Sequence, residues 1–399
     1  MTAVIRAWVV LGVFLGAWAP GAAGAQETRA ATMAAMQAAK AQQPASYEPS
    51  TAERIALSAK KGLFDTPNGF YPWFDSVYSG GGLTLGAGYR QFYGDRTFWD
   101  LRGLLSAKAY KRVEFATDSV GRANGRVDLR AIGGWRDATE VAFYGIGGDT
   151  SVDARTNFRM QQAYAGAGVR ARGPGPLRFE LQSQYEAYTL ESGKGTSPSI
   201  EEAHTADTAP GLGANPAYIH TVWTGGIDWR RAPGYARRGG LYALTFENYF
   251  DLDDTYTFNR LQAEVVQHVP VFRETWVLSF HGVARTTLDD EALVPYFLLP
   301  ALGSGSTLRA YPSWRFRDRH SLLLSGEWRW VPNRLFLDLA IFYDTGKVAT
   351  RREDLSLSGL KHNWGVGVRL HSLLATPLRI DVARGSEGIN IVFSGAAAF

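Results

Sequence analysis

Alternation of apolar and polar side chains is the feature that most constrains the fold of this 399-residue chain. In residues 177–186, LRFELQSQYE, every even position is polar or charged and most odd positions are apolar. Because successive side chains of a β-strand point to opposite faces, this period predicts a strand with one apolar and one polar face. Segments of about ten residues with this pattern recur from residue 70 to residue 399.

These segments predict an all-β fold, a membrane-spanning antiparallel β-barrel of about sixteen strands, with a short helical N-terminal tail. The apolar face of each strand then meets lipid, and the polar face meets a hydrated interior. A soluble secreted β protein could also alternate, but its core would have to absorb all these apolar residues. The strands are expected at residues 70–79, 81–93, 97–114, 126–136, 139–146, 157–171, 177–190, 218–230, 240–251, 257–269, 274–287, 320–332, 334–348, 362–372, 376–384 and 389–399.

The connections and the tryptophans agree with a barrel. Short turns alternate with longer connections, of which the longest follow Leu190, Thr287 and Val348. This is the pattern of short periplasmic turns and longer outer loops. Five tryptophans have lipid-facing parity at the ends assigned to the periplasm and predict an aromatic girdle: Trp99, Trp135, Trp229, Trp276 and Trp330.

The beginning of the chain predicts export. Residues 1–25 contain Arg6, a short apolar run and a small-residue site, and they are expected to be a secretory signal peptide. Residues 26–69 are alanine-rich and are expected to form a periplasmic tail with short helices, ahead of the barrel at residues 70–399. The expected location is the outer membrane of a Gram-negative bacterium.

The composition excludes several classes of site. The chain has no cysteine, so disulfides and zinc–thiolate sites are excluded, and its net charge of +4 is dispersed, which indicates no nucleic-acid partner. The seven histidines form no metal-binding spacing, and residues 303–306, GSGS, do not match the serine-hydrolase motif. We therefore expect no catalytic residue, metal or cofactor, and no enzymatic activity.

The last segment is expected to close the barrel. Ile391, Phe393 and Phe399 share one face of the predicted final strand. Pairing of this strand with the first would leave no free edge in lipid. Phe393 and Phe399 are therefore predicted to be closure residues.

The tetrad Leu308, Arg309, Ala310 and Tyr311 lies between the eleventh and twelfth predicted strands. With its surroundings, it resembles the surface-antigen barrel of the BamA/TamA superfamily of outer-membrane insertases and translocators. The resemblance covers roughly the whole barrel and is most specific over residues 296–399. It implies that the loop folds into the interior, where its arginine meets carboxylates on the next two strands. Glu327 and Asp344 match those positions.

Two departures qualify what the resemblance implies. Ala310 replaces the glycine of the family's tetrad, so the seat of the loop is expected to differ. The segment of residues 26–69 is too short for a polypeptide-transport-associated domain. In this respect the chain resembles a barrel-only branch of the family.

The function implied is assistance to insertion or translocation of proteins or lipids through a seam between the first and last strands. The implied partners are outer-membrane lipid, an unfolded barrel or lipid substrate, and a separate periplasmic protein. A passive pore with a loop-plugged interior is the alternative. A lipid hydrolase is a third possibility, for which the sequence offers no nucleophile–base pair.

Overall fold

The computed structural model describes residues 68–399, apart from residues 74, 273, 290–292, 333–335, 373–374 and 396. The predicted signal peptide, and the predicted tail up to residue 67, lie outside the described residues. Within the described part of the chain, no helix is long and apolar enough to span a membrane.

Among the described residues, sixteen antiparallel strands form one sheet in which each strand pairs with the next one along the chain. Two further short strands, β12 (Ala301–Leu302) and β13 (Phe316–Arg317), pair with each other inside the connection from β11 (Trp276–Thr287) to β14 (His320–Trp330). This is the membrane-spanning β-barrel that the alternation predicts. The strands are β1 (Gly69–Trp73), β2 (Thr84–Gly94), β3 (Thr97–Ser106), β4 (Lys111–Gly121), β5 (Val127–Phe143), β6 (Thr156–Arg172), β7 (Leu177–Ser192), β8 (Ala217–Asp228), β9 (Gly239–Asp251), β10 (Phe258–Val271), β11 (Trp276–Thr287), β12 (Ala301–Leu302), β13 (Phe316–Arg317), β14 (His320–Trp330), β15 (Leu337–Ala349), β16 (Lys361–Leu370), β17 (Leu378–Gly385) and β18 (Gly388–Ser394).

The two faces of the sheet differ as expected for a barrel in lipid. On β15, the outward side chain of Ile341 is 55% exposed, whereas the inward side chains of Phe342 and Asp344 are buried. The same alternation on β7 leaves Phe179 exposed and Glu186 buried. Apolar side chains that would be unfavourable in water therefore form the outer surface of the strands.

The predicted number of barrel strands is correct, although two boundaries are wrong in ways that compensate. The predicted strand 97–114 is two strands, β3 and β4, because residues 107–110 form a turn in which Ala109 has a φ of 60°. This turn has no glycine or proline to mark it. The predicted strands 126–136 and 139–146 are the single strand β5, which continues through a bulge between Ala138 and Val141.

The barrel has two distinct ends. Because the number of strands is even and neighbours are antiparallel, β1 begins and β18 ends at the same end, which we call proximal. The opposite, distal end carries the longest connections, residues 193–216 and 288–319. Distal strand ends and loops share a large apolar cluster that includes Phe143, Tyr218 and Phe297. This cluster fills the distal part of the interior.

Four of the five girdle tryptophans lie where the sequence predicts. Trp99, Trp229, Trp276 and Trp330 are at or near the proximal ends of strands, and Trp276 and Trp330 are register partners on β11 and β14. The prediction for Trp135 is wrong, because β5 is longer than expected and places this residue near its middle.

The sheet has two edges, β1 and β18, and we call the boundary between them the seam. Among the described residues, no ladder joins β1 to β18. Phe393 is on β18 with an exposed side chain, but the strand ends at Ser394, before the predicted end at Phe399. Phe399 instead stacks on His281, with ring centroids 5.1 Å apart. The glycine and alanines of residues 395–398 offer little apolar surface to hold a strand in lipid.

Candidate functional site in the barrel interior

The connection from β11 to β14, residues 288–319, folds into the barrel. Pairing of β12 with β13 brings Gly303 and Trp314 together, and Trp314 N donates to Gly303 O at 2.9 Å. The segment between them carries the tetrad, whose four residues are each no more than 5% exposed. The tetrad therefore lies in the interior, the position that the family resemblance implies.

Arg309 contacts carboxylates on three strands. Its Nε and Nη2 donate to the two carboxylate oxygens of Asp344 on β15, both at 2.8 Å. Its Nη1 donates to Glu327 Oε2 on β14 at 3.1 Å and to Asp381 Oδ2 on β17 at 3.2 Å. A bidentate pair of this kind matches the planar guanidinium to the carboxylate. One loop side chain thus connects three strands of the wall.

The surroundings of Arg309 keep its charge out of water. Its guanidinium carbon lies 3.4 Å from the centroid of the Phe342 ring, a cation–π contact. Burial alone would lower the pKa of Arg309, but the hydrogen bonds and charges of Asp344, with Glu327 and Asp381, raise that pKa above its ordinary value. The side chain is therefore a buried cation whose charge is balanced by its neighbours.

A second arginine completes the arrangement. Arg369 on β16 donates to Glu327 Oε2 at 2.7 Å and to Asp381 Oδ1 at 2.5 Å. We call Arg309, Glu327, Asp344, Arg369 and Asp381 the Arg309 cluster. The sequence predicts Glu327 and Asp344 as partners of Arg309, and the structure places both in contact with it. Arg369 and Asp381, on the neighbouring strands β16 and β17, were missed as members, although the alternation of these strands puts both side chains on the polar face.

The backbone of the tetrad is held by polar side chains near the end of the sheet. Asn390 Nδ2 on β18 donates to Arg309 O at 2.9 Å, and Ala310 N donates to Asn363 Oδ1 on β16 at 3.4 Å. The Tyr311 hydroxyl is hydrogen-bonded to Ser386 Oγ at 3.0 Å, in the turn between β17 and β18. The tetrad is therefore seated against the last strands of the barrel.

The position of Ala310 depends on Gly385, the last residue of β17. A Cβ atom at Gly385 would lie 3.1 Å from the Ala310 Cβ and 3.3 Å from the Tyr311 ring. Such distances are tighter than ordinary van der Waals contact. The absence of a side chain at Gly385 thus leaves room for the extra methyl group of Ala310.

The basic run after the tetrad fixes the base of the loop. Arg315 pairs with Glu387 at 2.8 Å, beyond the end of β17. Arg317 donates from Nη1 to Tyr296 O at 3.1 Å and from Nη2 to Ala142 O on β5 at 3.2 Å. These two arginines attach the loop to both the last strands and the opposite wall.

A proximal turn also enters the interior, which the sequence did not predict. In the turn between β8 and β9, residues 229–238, Tyr235 stacks on His371 with centroids 3.9 Å apart, and its hydroxyl donates to Asp338 Oδ2 at 2.8 Å. Arg329 on β14 donates to Ala236 O. Since β8 and β9 are several strands away from β14 and β15 along the sheet, this turn reaches across the lumen.

A serine–histidine pair lies near this turn. Ser279 Oγ and His268 Nδ1 are 2.8 Å apart, and both residues are buried. No described carboxylate hydrogen-bonds to the Nε2 atom of His268. The adjoining cavity, beside Phe399, holds about 10 Å3, which is room for a water molecule and not for a substrate. Among the described residues, this pair has neither the third group nor the adjoining space of a serine nucleophile with its base.

Comparison with known proteins shows similarity at the level of structure. No family model matches the sequence, and no curated protein matches it. BamA from Haemophilus ducreyi lacking POTRA domains 1–3 is similar, with a TM-score of 0.56 and 13% identity over 82% of this chain and 69% of that chain. CdiB from Escherichia coli is similar, with a TM-score of 0.55 and 11% identity over 81% of this chain and 61% of that chain.

These likenesses agree with the resemblance found in the sequence. The matched region covers most of the barrel strands of this chain, although the chain spans only about three fifths of the length of CdiB. The chain therefore has the barrel fold of BamA and CdiB.

Proposed function

We propose that this chain is an outer-membrane barrel of a Gram-negative bacterium that assists the insertion or translocation of proteins or lipids at that membrane. Substrate enters at the seam between β1 and β18. The inward-folded loop, residues 288–319, sets how readily the two edges separate.

The seam is the observation that carries the proposal. No ladder joins β1 to β18 among the described residues, and β1 has only five residues. A strand edge in lipid leaves backbone donors and acceptors without partners, which is unfavourable by several kcal/mol for each group, as an order of magnitude. An incoming strand satisfies these groups by main-chain hydrogen bonding to the edge. The unpaired backbone groups at the seam thus favour pairing with a further strand.

The inward-folded loop contacts both sides of the seam. Trp314 Nε1 donates to Ser79 O at 2.9 Å, in the connection between β1 and β2, and the Trp314 ring stacks on Tyr78. On the other side, Asn390 of β18 donates to Arg309 O. Release of the loop would remove contacts on both sides of the seam at once. This supports a role for the loop in controlling separation of the seam.

The proposal is tested by cross-linking from single cysteines, since the chain has none of its own. Phe70→Cys on β1 and Ile391→Cys on β18 place a thiol beside the seam, and Leu339→Cys on β15 is the matched control. All three side chains are exposed on the outer face. Each variant is reconstituted in liposomes and mixed with an unfolded barrel protein that carries a thiol-reactive group.

We expect the unfolded barrel to cross-link from positions 70 and 391 and not from position 339, and to fold faster than with empty liposomes. Equal cross-linking from the three positions would contradict entry at the seam. Folding no faster than with empty liposomes would contradict the assembly role itself.

The passive-pore alternative has less support. The loop of residues 288–319 and the turn of residues 229–238 both lie across the interior, and the distal end is filled by an apolar cluster. We expect planar-bilayer recordings of the purified protein to show a mainly closed state. A large and stable open state would favour the pore.

A further inference from the structure

The two ends of the barrel carry opposite charge. Among the described residues, the distal loops contain thirteen acidic and nine basic residues, and four of those basic residues belong to the inward-folded loop. The proximal turns contain only two acidic residues, Asp95 and Glu274. Their described residues include seven arginines, and the sequence adds Arg273 and Arg334: Arg96, Arg122, Arg126, Arg230, Arg231, Arg237 and Arg238 are the described ones. Since the whole chain has a net charge of only +4, the positive charge is concentrated at this end.

Three of these arginines are exposed and available to an external partner. No described residue forms an ion pair or hydrogen bond with the guanidinium groups of Arg96, Arg126 and Arg231, and all three residues are exposed. By contrast, arginines at nearby strand ends are paired: Arg172 lies 2.5 Å from Asp128, and Arg178 lies 3.3 Å from Asp228. The charge of the turns is thus not neutralised within the described chain.

The girdle places these arginines at a particular depth in the membrane. Trp99 and Trp229 lie near the proximal ends of β3 and β8, and aromatic girdles mark the boundary between hydrocarbon and headgroups. Arg231 follows Trp229 by two residues, and Arg96 precedes Trp99 by three. Turn residues just beyond the girdle therefore lie at the level of lipid phosphates.

The three exposed arginines lie in the turns that connect β2 to β3, β4 to β5, and β8 to β9. The turns after β10 and β14 expose Phe272 and Phe336, which are 80% and 56% exposed, and the sequence places Arg273 and Arg334 in the same turns. A guanidinium offers a planar set of donors that matches the oxygens of a phosphate. The turns between β2 and β9 thus suit anionic headgroups.

We propose that the proximal turns between β2 and β9 form a binding surface for the headgroups of anionic phospholipids in the surrounding leaflet. The recognised chemistry is a phosphodiester with net negative charge, carried by a lipid that also contacts the outer face of the strands. The surface depends on the barrel spanning a membrane and does not depend on the activity proposed for the seam.

The test measures lipid selectivity in reconstituted bilayers. The protein is placed in phosphatidylcholine membranes, and electron spin resonance compares the association of spin-labelled phosphatidylglycerol with that of spin-labelled phosphatidylcholine. We expect the wild type to prefer phosphatidylglycerol. The combined variant Arg96→Gln, Arg126→Gln and Arg231→Gln should lower this preference by at least about fivefold. This lower bound is the effect of losing one basic residue, which contributes about 1 kcal/mol near an anionic surface.

The matched control removes three cations from the distal loops: Lys108→Gln, Lys194→Gln and Arg351→Gln. We expect this variant to keep the wild-type preference, and both variants to unfold at the wild-type temperature. In the wild type, about 0.5 M salt should weaken the preference, because exposed charges are screened.

Three results would overturn the proposal. The first is a wild type with no preference for phosphatidylglycerol at low salt, which needs no variant to interpret. The second is an equal loss of preference in the proximal and distal variants. The third is an unchanged lipid preference in the proximal variant together with lost binding of an acidic periplasmic protein, which would assign the surface to a protein partner.

Discussion

The interior of the barrel is charged in two different ways. Between β2 and β9, arginines pair with carboxylates on the adjacent strand, as Arg90 does with Asp100 at 2.7 Å and Arg170 with Glu180 at 3.0 Å. Between β14 and β18, a loop arginine, Arg309, contacts carboxylates on three strands and is 2% exposed. The first arrangement is local, whereas the second exists only when the loop is in place.

The two arrangements differ in what their charges hold together. An exposed cross-strand pair such as Arg170–Glu180 contributes little net free energy, because its charges are screened and solvated in either state. A buried arginine with three carboxylates leaves uncompensated charges when it is removed. The pairs between β2 and β9 therefore act between neighbouring strands, and the Arg309 cluster fixes the position of a loop.

Removal of Arg309 should give the largest effect. Arg309→Ala removes the cation that pairs with Asp344 and leaves Arg369 to balance Glu327 and Asp381, and we expect the free energy of unfolding to fall by about 3–5 kcal/mol. Arg309→Lys keeps the charge but cannot form the bidentate pair, so an intermediate loss is expected. Heat or urea unfolding of the detergent-solubilised barrel, followed by electrophoretic mobility, measures both. Wild-type stability of Arg309→Ala would remove the contrast between the two regions.

Filling the space beside Ala310 should have the next largest effect. Gly385→Ala brings a methyl group against Ala310 and Tyr311, and we expect a loss of about 1–3 kcal/mol by overpacking. Adding Ala310→Gly to the same chain should restore part of the loss, because it removes one of the two clashing groups. The same unfolding assay applies. A double variant no more stable than Gly385→Ala would show that the two residues do not compete for space.

The proximal turn tests whether long-range contacts in this region extend beyond the loop. Tyr235→Phe removes the hydroxyl that donates to Asp338 and should lower the free energy of unfolding by about 1 kcal/mol. Tyr185→Phe is the control, because its side chain is on the outer face and 42% exposed. Equal changes in the two variants would argue against the contact across the lumen.

The smallest effect is expected in the first half of the barrel. Arg170 and Glu180 are about half and about two fifths exposed, and Arg170→Ala should lower the free energy of unfolding by about 0.2–1 kcal/mol. The effect should shrink further in high salt, since the pair is screened. A loss as large as that of Arg309→Ala would mean that the two regions do not differ in the way described.

The sequence was sufficient for the parts of the structure that depend on local pattern. Alternation predicted the strands that carry Glu327 and Asp344, and the resemblance of the tetrad to the family implied that Arg309 contacts both. The same pattern failed where a strand boundary depends on three-dimensional context. The turn at residues 107–110 contains no residue type that favours turns, and its alanine at position 109 adopts a left-handed conformation. The bulge in β5 interrupts the alternation, so one strand was predicted as two.

Contacts between distant parts of the chain were the least predictable. Asp381 is 72 residues from Arg309, and several other inward carboxylates were equally plausible partners. Entry of Tyr235 into the interior, and the position of Phe399 beside His281, depend on how turns and the C-terminal residues pack inside the barrel. No period or motif in the sequence carries that information.

A double-mutant cycle between Arg309 and Asp344 tests most directly whether the loop is held by this contact. The free energies of unfolding of Arg309→Ala, Asp344→Ala and the double variant are measured under the same conditions. Because the two side chains share a bidentate pair, we predict that the double variant loses less than the sum of the single losses, by more than about 1 kcal/mol. Losses that add to within about 0.5 kcal/mol would contradict the account.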